Sequence, residues 1–565
     1  MKTAKQFQFG KEPQMERRQF LKSSALAGAV LAISNTRIWA TSADSRVEIF
    51  LEEPRGEISP NLYGQFTEHI GGVIYDGVWV GEQSKIRNEF GIRAELVERM
   101  KEIEVPIVRW PGGCFADSYD WKDGIGSTSE RPVRTNFWEG DSDAARLHEK
   151  GPQVFEPNTF GTNEFMRFCK LVGAEPYLAA NLRSLPPLFF DHWVEYCNSP
   201  AGTTTLAKMR AEAGFPEPFK VKFWGIGNES WGCGGNFAPE EYASEFRRYT
   251  SWIPSFGVGL QLIAAGPNGN DIDWTHRFFD EIFTGHSYHN PSFTGWSIHH
   301  YASNLSRGKT RDWLLGKGDA LKFELVDWFE LLRECDRVER IMADQWAVMG
   351  QYDPQHQIKL VVDEYGPWYR EGTELDPTHI FGQQVTVRDA LATALTLDAF
   401  NRNAEKVSVA TCAQLVNNIN ALFLCHEDRF FATPNFHVFK MYAAHKGGQS
   451  LRTEFSAPDV HYDRDGRPAR FWGLNGSASQ KGNLVTLTAV NPDLTQPSQA
   501  QVTLRGAAIA RSRGTALAAS DMHAHNTFEN PDAVKATPLD TSIGAGILNV
   551  SIPPASVIKL EITLG

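Results

Sequence analysis

Eight short apolar runs, at residues 62–68, 106–110, 176–181, 221–228, 260–266, 296–301, 358–364 and 407–414, recur along this chain with helical patterns between them. The amphipathic stretches fall at 92–103, 160–171, 239–253, 274–283, 323–349 and 384–401. Strands of this length alternating with helices predict a parallel sheet covered on both faces. Eight such units close into a (β/α)8 barrel, whose reactive side chains gather where the C-terminal ends of the strands open into loops. From about residue 446 the texture changes. Leu484-Val-Thr-Leu-Thr-Ala-Val490, Ala500-Gln-Val-Thr-Leu-Arg505 and Val557-Ile-Lys-Leu-Glu-Ile562 alternate in strand fashion between clusters of Gly, Pro, Asn and Ser, the pattern of an all-β sandwich. Arg46-Val-Glu-Ile-Phe-Leu51 reads as a further strand of it. The expected plan is an export signal at 1–43, an N-terminal strand joining the sandwich at 44–60, an α/β barrel at 61–445 and a jelly-roll-like β-sandwich at 446–565. Beyond Trp472 the sandwich holds one aromatic, Phe528, so it reads as structural support rather than a sugar-stacking module.

Besides the first run, which closes on Glu68, two of the predicted strands end at a glutamate in aromatic surroundings. Trp224-Gly-Ile-Gly-Asn228-Glu229-Ser-Trp231-Gly-Cys233-Gly-Gly follows the short run 220–223 and precedes a helix start at Pro239. The glycines leave little bulk beside Glu229 and let backbone approach a ligand, and Trp224 and Trp231 are expected to ring it. Lys359-Leu-Val-Val-Asp363-Glu364-Tyr-Gly-Pro-Trp368-Tyr369 repeats the format of apolar strand, glutamate, glycine and aromatics. A lone glutamate at such a place caps a loop or pairs with a cation. Two, far apart in sequence and both at strand ends among aromatics, are what glycoside hydrolysis requires: one protonates the leaving oxygen while the other attacks the anomeric carbon or activates water.

Glu16-Arg17-Arg18-Gln-Phe-Leu-Lys22, followed by a modest apolar run to Ile33, is a twin-arginine pattern too short to span a bilayer. It implies export of a folded protein to the periplasm or beyond, with no membrane insertion. The first 40 residues carry seven Lys/Arg against two acids, so losing them takes the formal charge from −12 to −17. That acidity disfavours nucleic acid and anionic membrane as partners. The seven cysteines are thinly spread, with no CxxC pair and no Cys/His cluster at ligand spacing, so no metal is expected and no disulfide is needed. The glycine runs form neither a dinucleotide fingerprint nor a phosphate loop, and no cofactor is implied.

Seven motifs in order support a resemblance. They are Tyr63-Gly-Gln-Phe-Thr-Glu68-His69, Arg109-Trp110-Pro-Gly-Gly113-Cys114-Phe, Tyr119-Asp-Trp121-Lys-Asp123-Gly, Gly225-Ile-Gly-Asn228-Glu229-Ser-Trp231, Asp363-Glu364-Tyr-Gly-Pro-Trp368-Tyr, Ala413-Gln414-Leu-Val-Asn417 and Asp521-Met-His-Ala-His-Asn526-Thr-Phe-Glu. Together they resemble glycoside hydrolase family 51, the retaining α-L-arabinofuranosidases, over essentially the whole chain after the signal.

The resemblance implies that Glu229 is the general acid/base and Glu364 the nucleophile, with carboxyls about 5–5.5 Å apart. It places Asn228 on the sugar 2-OH, Glu68 and Gln414 on other ring hydroxyls, and Gly113 and Cys114 in the sugar site. A reactive Cys114 thiol is a second reading, and a salt bridge to Arg109 is a second role for Glu68. Tyr301 is expected to contact Glu364. Neighbours on a strand point to opposite faces, so of the adjacent pair His300 is read as the pocket residue and His299 as a packed one. Trp138 is read as an aromatic holding the aglycone. The segments 304–319 and 371–379 read as variable loops at the barrel mouth. The implied activity is exo-acting hydrolysis of terminal arabinofuranosyl residues from arabinoxylan- or arabinan-type oligo- and polysaccharides. A retaining β-xylosidase or endoglucanase on the same barrel, and a non-catalytic carbohydrate-binding protein, are the alternatives. Relatives of this kind also form homo-oligomers.

Overall fold

The computed structural model describes residues 44–140, 155–284, 293–303, 316–370 and 380–565. The export signal expected at 1–43, most of the mouth segment 304–319 and all of 371–379 lie outside these residues. Eight parallel strands close into a barrel in chain order: β1 (Gly64–Phe66), β2 (Ile107–Trp110), β3 (Glu175–Ala180), β4 (Phe223–Ile226), β5 (Gln261–Ala264), β6 (Gly295–Ala302), β7 (Lys359–Pro367) and β8 (Val407–Cys412). All eight overlap the apolar runs read from the sequence. Ile107, Tyr177, Ile263, Val361 and Val409 fill the barrel interior as one buried cluster, so the active end rests on a packed floor. Outward-facing aromatics pack the helical layer: Trp110 stacks on Phe165 with centroids 5.0 Å apart, and Trp193 meets Trp224 at 5.5 Å. Burying each such ring is worth about 1.5–3 kcal/mol.

The N-terminal strand Ser45–Glu57 lies in a ten-stranded sheet with the C-terminal strands, antiparallel to Gln449–Ser456 and parallel to Ser498–Arg505. Val47 and Ile49 enter its core beside Leu487, Val502, Leu548, Ile558 and Leu560. Sheet and barrel meet across helix Val387–Arg402, which is buried along nearly its whole length. There Asp398 accepts hydrogen bonds from Ser477 Oγ at 2.6 Å, Thr488 Oγ1 at 2.6 Å and Tyr442 Oη at 2.8 Å. Burial pushes its carboxyl up to about 6 in spite of those donors. Asn401, one turn on, accepts from Tyr63 Oη just ahead of β1 and donates to Ser477 Oγ. The segment after β7 is braced from the C-terminal region, because Ala524 O accepts from Val387 N and Asn526 O from Gln384 Nε2. The Asp521–Glu529 motif therefore supports the catalytic end from outside the barrel.

Candidate active site

Arg109, at the C-terminal end of β2, organises the floor of the site. Its side chain is 1 % exposed. Nη1 donates to Glu364 Oε1 at 2.8 Å, Nη2 donates to Asn228 Oδ1 at 2.7 Å, and Nε stands 3.6 Å from Asp363 Oδ2. A planar guanidinium presents donors in a rigid fork, and here one fork orients three groups from β4 and β7. Asp363 also accepts from Tyr177 Oη at 2.7 Å and from Ser297 Oγ. Burial would raise its carboxyl, but Arg109 and His299 outweigh that and hold it well below the usual carboxylate range. Glu364 is held at both oxygens, since Tyr301 Oη donates to Oε2 at 2.8 Å. A buried carboxylate with both oxygens hydrogen-bonded is held in one orientation. Because Arg109 is engaged this way, the alternative salt bridge between Arg109 and Glu68 is replaced by another arrangement.

Glu68, following β1, accepts from the backbone N–H of Gly113 at 2.9 Å and of Phe115 at 3.0 Å through Oε1, and from Gln414 Nε2 at 3.1 Å through Oε2. Burial, with the charge of Glu364 nearby, pushes Glu68 up to about 7 against those amide donors. Gly113 is the close-approach residue: a Cβ there would come within 2.4 Å of Glu364 Oε1, so no larger residue fits between the β2 loop and the carboxylate. Asn228 is fixed at its backbone by Asp117, whose Oδ2 accepts from its N–H at 3.0 Å. Buried Asp117 is itself pushed up to about 7 by loss of solvent.

Glu229 follows with φ +40°, in the left-handed region that a side-chain-bearing residue rarely occupies. The turn lifts its carboxyl out of the strand and leaves it 19 % exposed. Trp224, expected beside it, turns outward instead and packs against Phe190 and Trp193.

The two histidines exchange the roles expected of them. His300 packs outside the site with Nε2 2.7 Å from Glu334 O, and burial drives its ring down to about 4. His299 faces the site: Nδ1 lies 3.0 Å from Glu229 Oε1 and 3.4 Å from Glu364 Oε2, and Nε2 lies 3.2 Å from Asp363 Oδ1. Burial alone would lower its affinity for a proton, but Glu364, Asp363 and Glu229 together raise it to about 10. The imidazolium so favoured donates from both nitrogens. The reason for the exchange is strand parity. Tyr301 points at Glu364, and on the same strand Ser297 and His299 share its face while His300 takes the other.

Cys114 and Cys233 form a disulfide, the pairing that was not expected. Their sequence separation of 119 hides the pairing from spacing arguments, and it forms because the loops after β2 and β4 meet over the site. Cys114 therefore has no free thiol to act as a nucleophile. Cys233 Sγ lies 3.5 Å and Cys114 Sγ 3.9 Å from Glu229 Oε2. The other five cysteines are free and buried. At the rim, Trp368 stands edge-on to Tyr301 at 5.0 Å and to Phe381 at 5.3 Å. Lys317 sits 3.5 Å over the Trp368 ring. Trp138 packs on the Ile70 and Ile380 pair, which Phe381 also covers, its loop tied down by Asn136 Nδ2 donating to His69 O at 2.8 Å. Trp138 thus extends the aromatic wall that begins at Tyr301.

The arrangement is a pair of carboxyls facing each other across a polar cup. One oxygen of Glu229, one of Glu364 and a nitrogen of His299 all lie within 4.8 Å of one another. Replacing Arg109 by Met leaves Asp363 and Glu364 buried without the guanidinium, with only His299 beside them, which costs about 3–5 kcal/mol. Denaturant unfolding of Arg109→Met should show that loss, with kcat/KM falling alongside it.

Comparison with known proteins gives the same picture. Residues 99–307 match the family model described as the α-L-arabinofuranosidase 1 domain, and residues 363–556 the one described as the α-L-arabinofuranosidase C-terminal domain. An intracellular exo-α-L-arabinofuranosidase from Bacteroides ovatus is 32 % identical over 547 residues, covering 96 % of this chain and 99 % of that one. An intracellular exo-α-(1→5)-L-arabinofuranosidase from Bifidobacterium longum is 28 % identical, covering 95 % of each. The crystal structure of a GH51 arabinofuranosidase from Xanthomonas axonopodis pv. citri superposes with a TM-score of 0.84 at 32 % identity, over 92 % of this chain and 100 % of that one. The Bacteroides and Bifidobacterium relatives are both named intracellular, which overturns the expected periplasmic location and twin-arginine export. An arginine pair before a short apolar run is too small a pattern to carry that reading. Matched over nearly its full length at this identity, the chain belongs to glycoside hydrolase family 51, among the α-L-arabinofuranosidases.

Proposed function

We propose that this chain removes terminal α-L-arabinofuranosyl residues from arabinoxylan- or arabinan-type chains by double displacement, with Glu364 as nucleophile and Glu229 as general acid/base. The observation that carries the reading is the approach of the two carboxyls, with an oxygen from each within 4.8 Å. Retention needs carboxyls about 5–5.5 Å apart, whereas inversion leaves roughly 6.5–9.5 Å for a water. In the first step Glu364, aimed by Arg109 and Tyr301, forms a bond to the anomeric carbon while the glycosidic bond breaks and Glu229 gives its proton to the leaving oxygen. In the second, Glu229 takes a proton from water, the water oxygen bonds to the anomeric carbon and the ester to Glu364 breaks. Asn228 Oδ1 is occupied by Arg109, which leaves its amide group to donate to the sugar 2-OH. Such a bond strengthens as charge develops in the transition state. Glu68 and Gln414 hold the outer hydroxyls, and the wall of Trp368, Phe381 and Trp138 receives the leaving group. The division into an N-terminal strand, a barrel to 445 and a sandwich beyond is part of the same reading, with the sandwich as support.

The names of the Bacteroides and Bifidobacterium relatives support the arabinofuranosyl specificity. Parallel hydrolysis of 4-nitrophenyl α-L-arabinofuranoside and β-D-xyloside tests it. The arabinofuranoside is expected to be the better substrate by at least about 100-fold in kcat/KM, on the order of 3 kcal/mol of discrimination in the transition state. Cleavage of the xyloside alone would keep the mechanism and reject the substrate.

A further inference from the structure

We propose that reduction of the Cys114–Cys233 disulfide opens a binding site for a zinc-class divalent cation, made by the two thiolates and the Glu229 carboxylate, and that the bound ion shuts the enzyme off. The three donor atoms lie within 4.8 Å of one another. In a tetrahedral site with metal–sulfur bonds of about 2.3 Å and metal–oxygen bonds of about 2.0 Å, the oxygen–sulfur edge is about 3.5 Å. The two edges from Glu229 Oε2 measure 3.5 Å to Cys233 Sγ and 3.9 Å to Cys114 Sγ. Two of the three edges of the ligand face therefore stand close to metal geometry, and the third, between the sulfurs, opens when their bond is broken. The loops that carry the donors are pinned independently of that bond. Gly113 and Phe115 N–H groups hold the Cys114 loop to Glu68, while Asn228 N–H to Asp117 and Gly232 N–H to Glu229 O hold the Cys233 loop.

Surrounding contacts suit ligation as well. His299 Nδ1 supports the other oxygen of Glu229 at 3.0 Å, and Asn228 Nδ2 lies 3.7 Å from Cys233 Sγ, the kind of outer contact that orients metal ligands. All three donors are partly exposed, so an ion can reach them and the fourth position is left to water. Sequence spacing could not show the group, because its members come from two loops.

The chemistry balances with a tertiary phosphine as reductant. Phosphorus gives two electrons and becomes a phosphine oxide with the oxygen of one water, and the disulfide becomes two thiols with that water's protons. Binding the ion then releases both thiol protons. With a lone pair of Glu229 on the metal, that carboxyl can neither deliver nor accept the catalytic proton. The inhibition rests on the acid/base role proposed above, whereas the binding does not.

The test is a titration of the whole protein with Co(II), with and without prior phosphine reduction, followed by Zn(II) addition during arabinofuranoside hydrolysis. Reduced protein is expected to take up one equivalent of Co(II) with a thiolate-to-metal charge-transfer band, and to lose at least about 100-fold in activity with Zn(II), regained on chelation. Oxidised protein and the Cys114→Ser/Cys233→Ser variant are expected to show no band, and Zn(II) is expected to leave each at its own metal-free rate. Absence of the band after reduction, or an equal band in the oxidised protein or the double variant, would overturn the site. A band with undiminished hydrolysis would overturn the ligation of Glu229. A protein inactive on arabinofuranosides in every state would refute the proposed activity, and the band would still decide the metal site.

Discussion

Glu364→Ala is expected to lower kcat on an aryl α-L-arabinofuranoside by roughly 10⁵-fold or more, the scale seen when a covalent nucleophile is removed from a site whose parts act together. Arg109 and Tyr301 lose the group they aim, yet Asn228 still accepts from Arg109 and Asp363 still pairs with it at 3.6 Å, so the fold should survive and circular dichroism should match the wild type. The vacated space faces the anomeric carbon from the nucleophile's side. Added azide should attack from there and give the β-arabinofuranosyl azide, with Glu229 protonating the leaving phenol. Residual activity above about 1 % of wild type, in protein shown to be free of wild-type contamination, would remove Glu364 from the nucleophile's role.

Glu229→Ala should divide the two chemical steps. An aryl leaving group that departs without a proton can still be displaced, so the first step persists and the glycosyl-enzyme accumulates. Alkyl and sugar leaving groups need the proton and should lose about 10²–10⁴-fold in kcat/KM. Water attack on the glycosyl-enzyme also slows, because no base remains to take its proton. A burst of phenol followed by slow turnover is the expected trace. Azide should restore turnover here and give the α-azide, the anomer opposite to that from Glu364→Ala. Equal losses for good and poor leaving groups would show that Glu229 does not transfer the proton.

The barrel was legible because each strand carries its own apolar run and two glutamates sit at strand ends. The sheet that takes in Ser45–Glu57 was legible from alternation. Helices Pro187–Asn198, Thr205–Glu212 and Pro434–Tyr442 were passed over, although Pro187 and Pro434 stand at the first helical turn, where proline marks a helix start. Thr205–Glu212 buries only Ala207 and Arg210, so it carries no apolar stripe to read. Within the site, the contact of Tyr301 with Glu364 implied the face of His299, since residues two apart on a strand share it. Taking His300 as the inward residue set that parity aside. The Arg109 network was beyond reach for another reason. Its partners Asn228, Asp363 and Glu364 come from β4 and β7, and only barrel closure brings them together. The disulfide, 119 residues apart in sequence, was hidden in the same way.

One determination tests the double displacement most directly: the anomeric configuration of the methyl glycoside formed when an aryl α-L-arabinofuranoside is turned over in aqueous methanol, read by proton NMR. A methyl glycoside does not mutarotate, so it records the geometry of the second step. Two inversions, by Glu364 and then by methanol activated at Glu229, predict methyl α-L-arabinofuranoside. Formation of the β-anomer, or of none while inverted free sugar accumulates, would contradict the covalent mechanism and the roles assigned to both carboxylates.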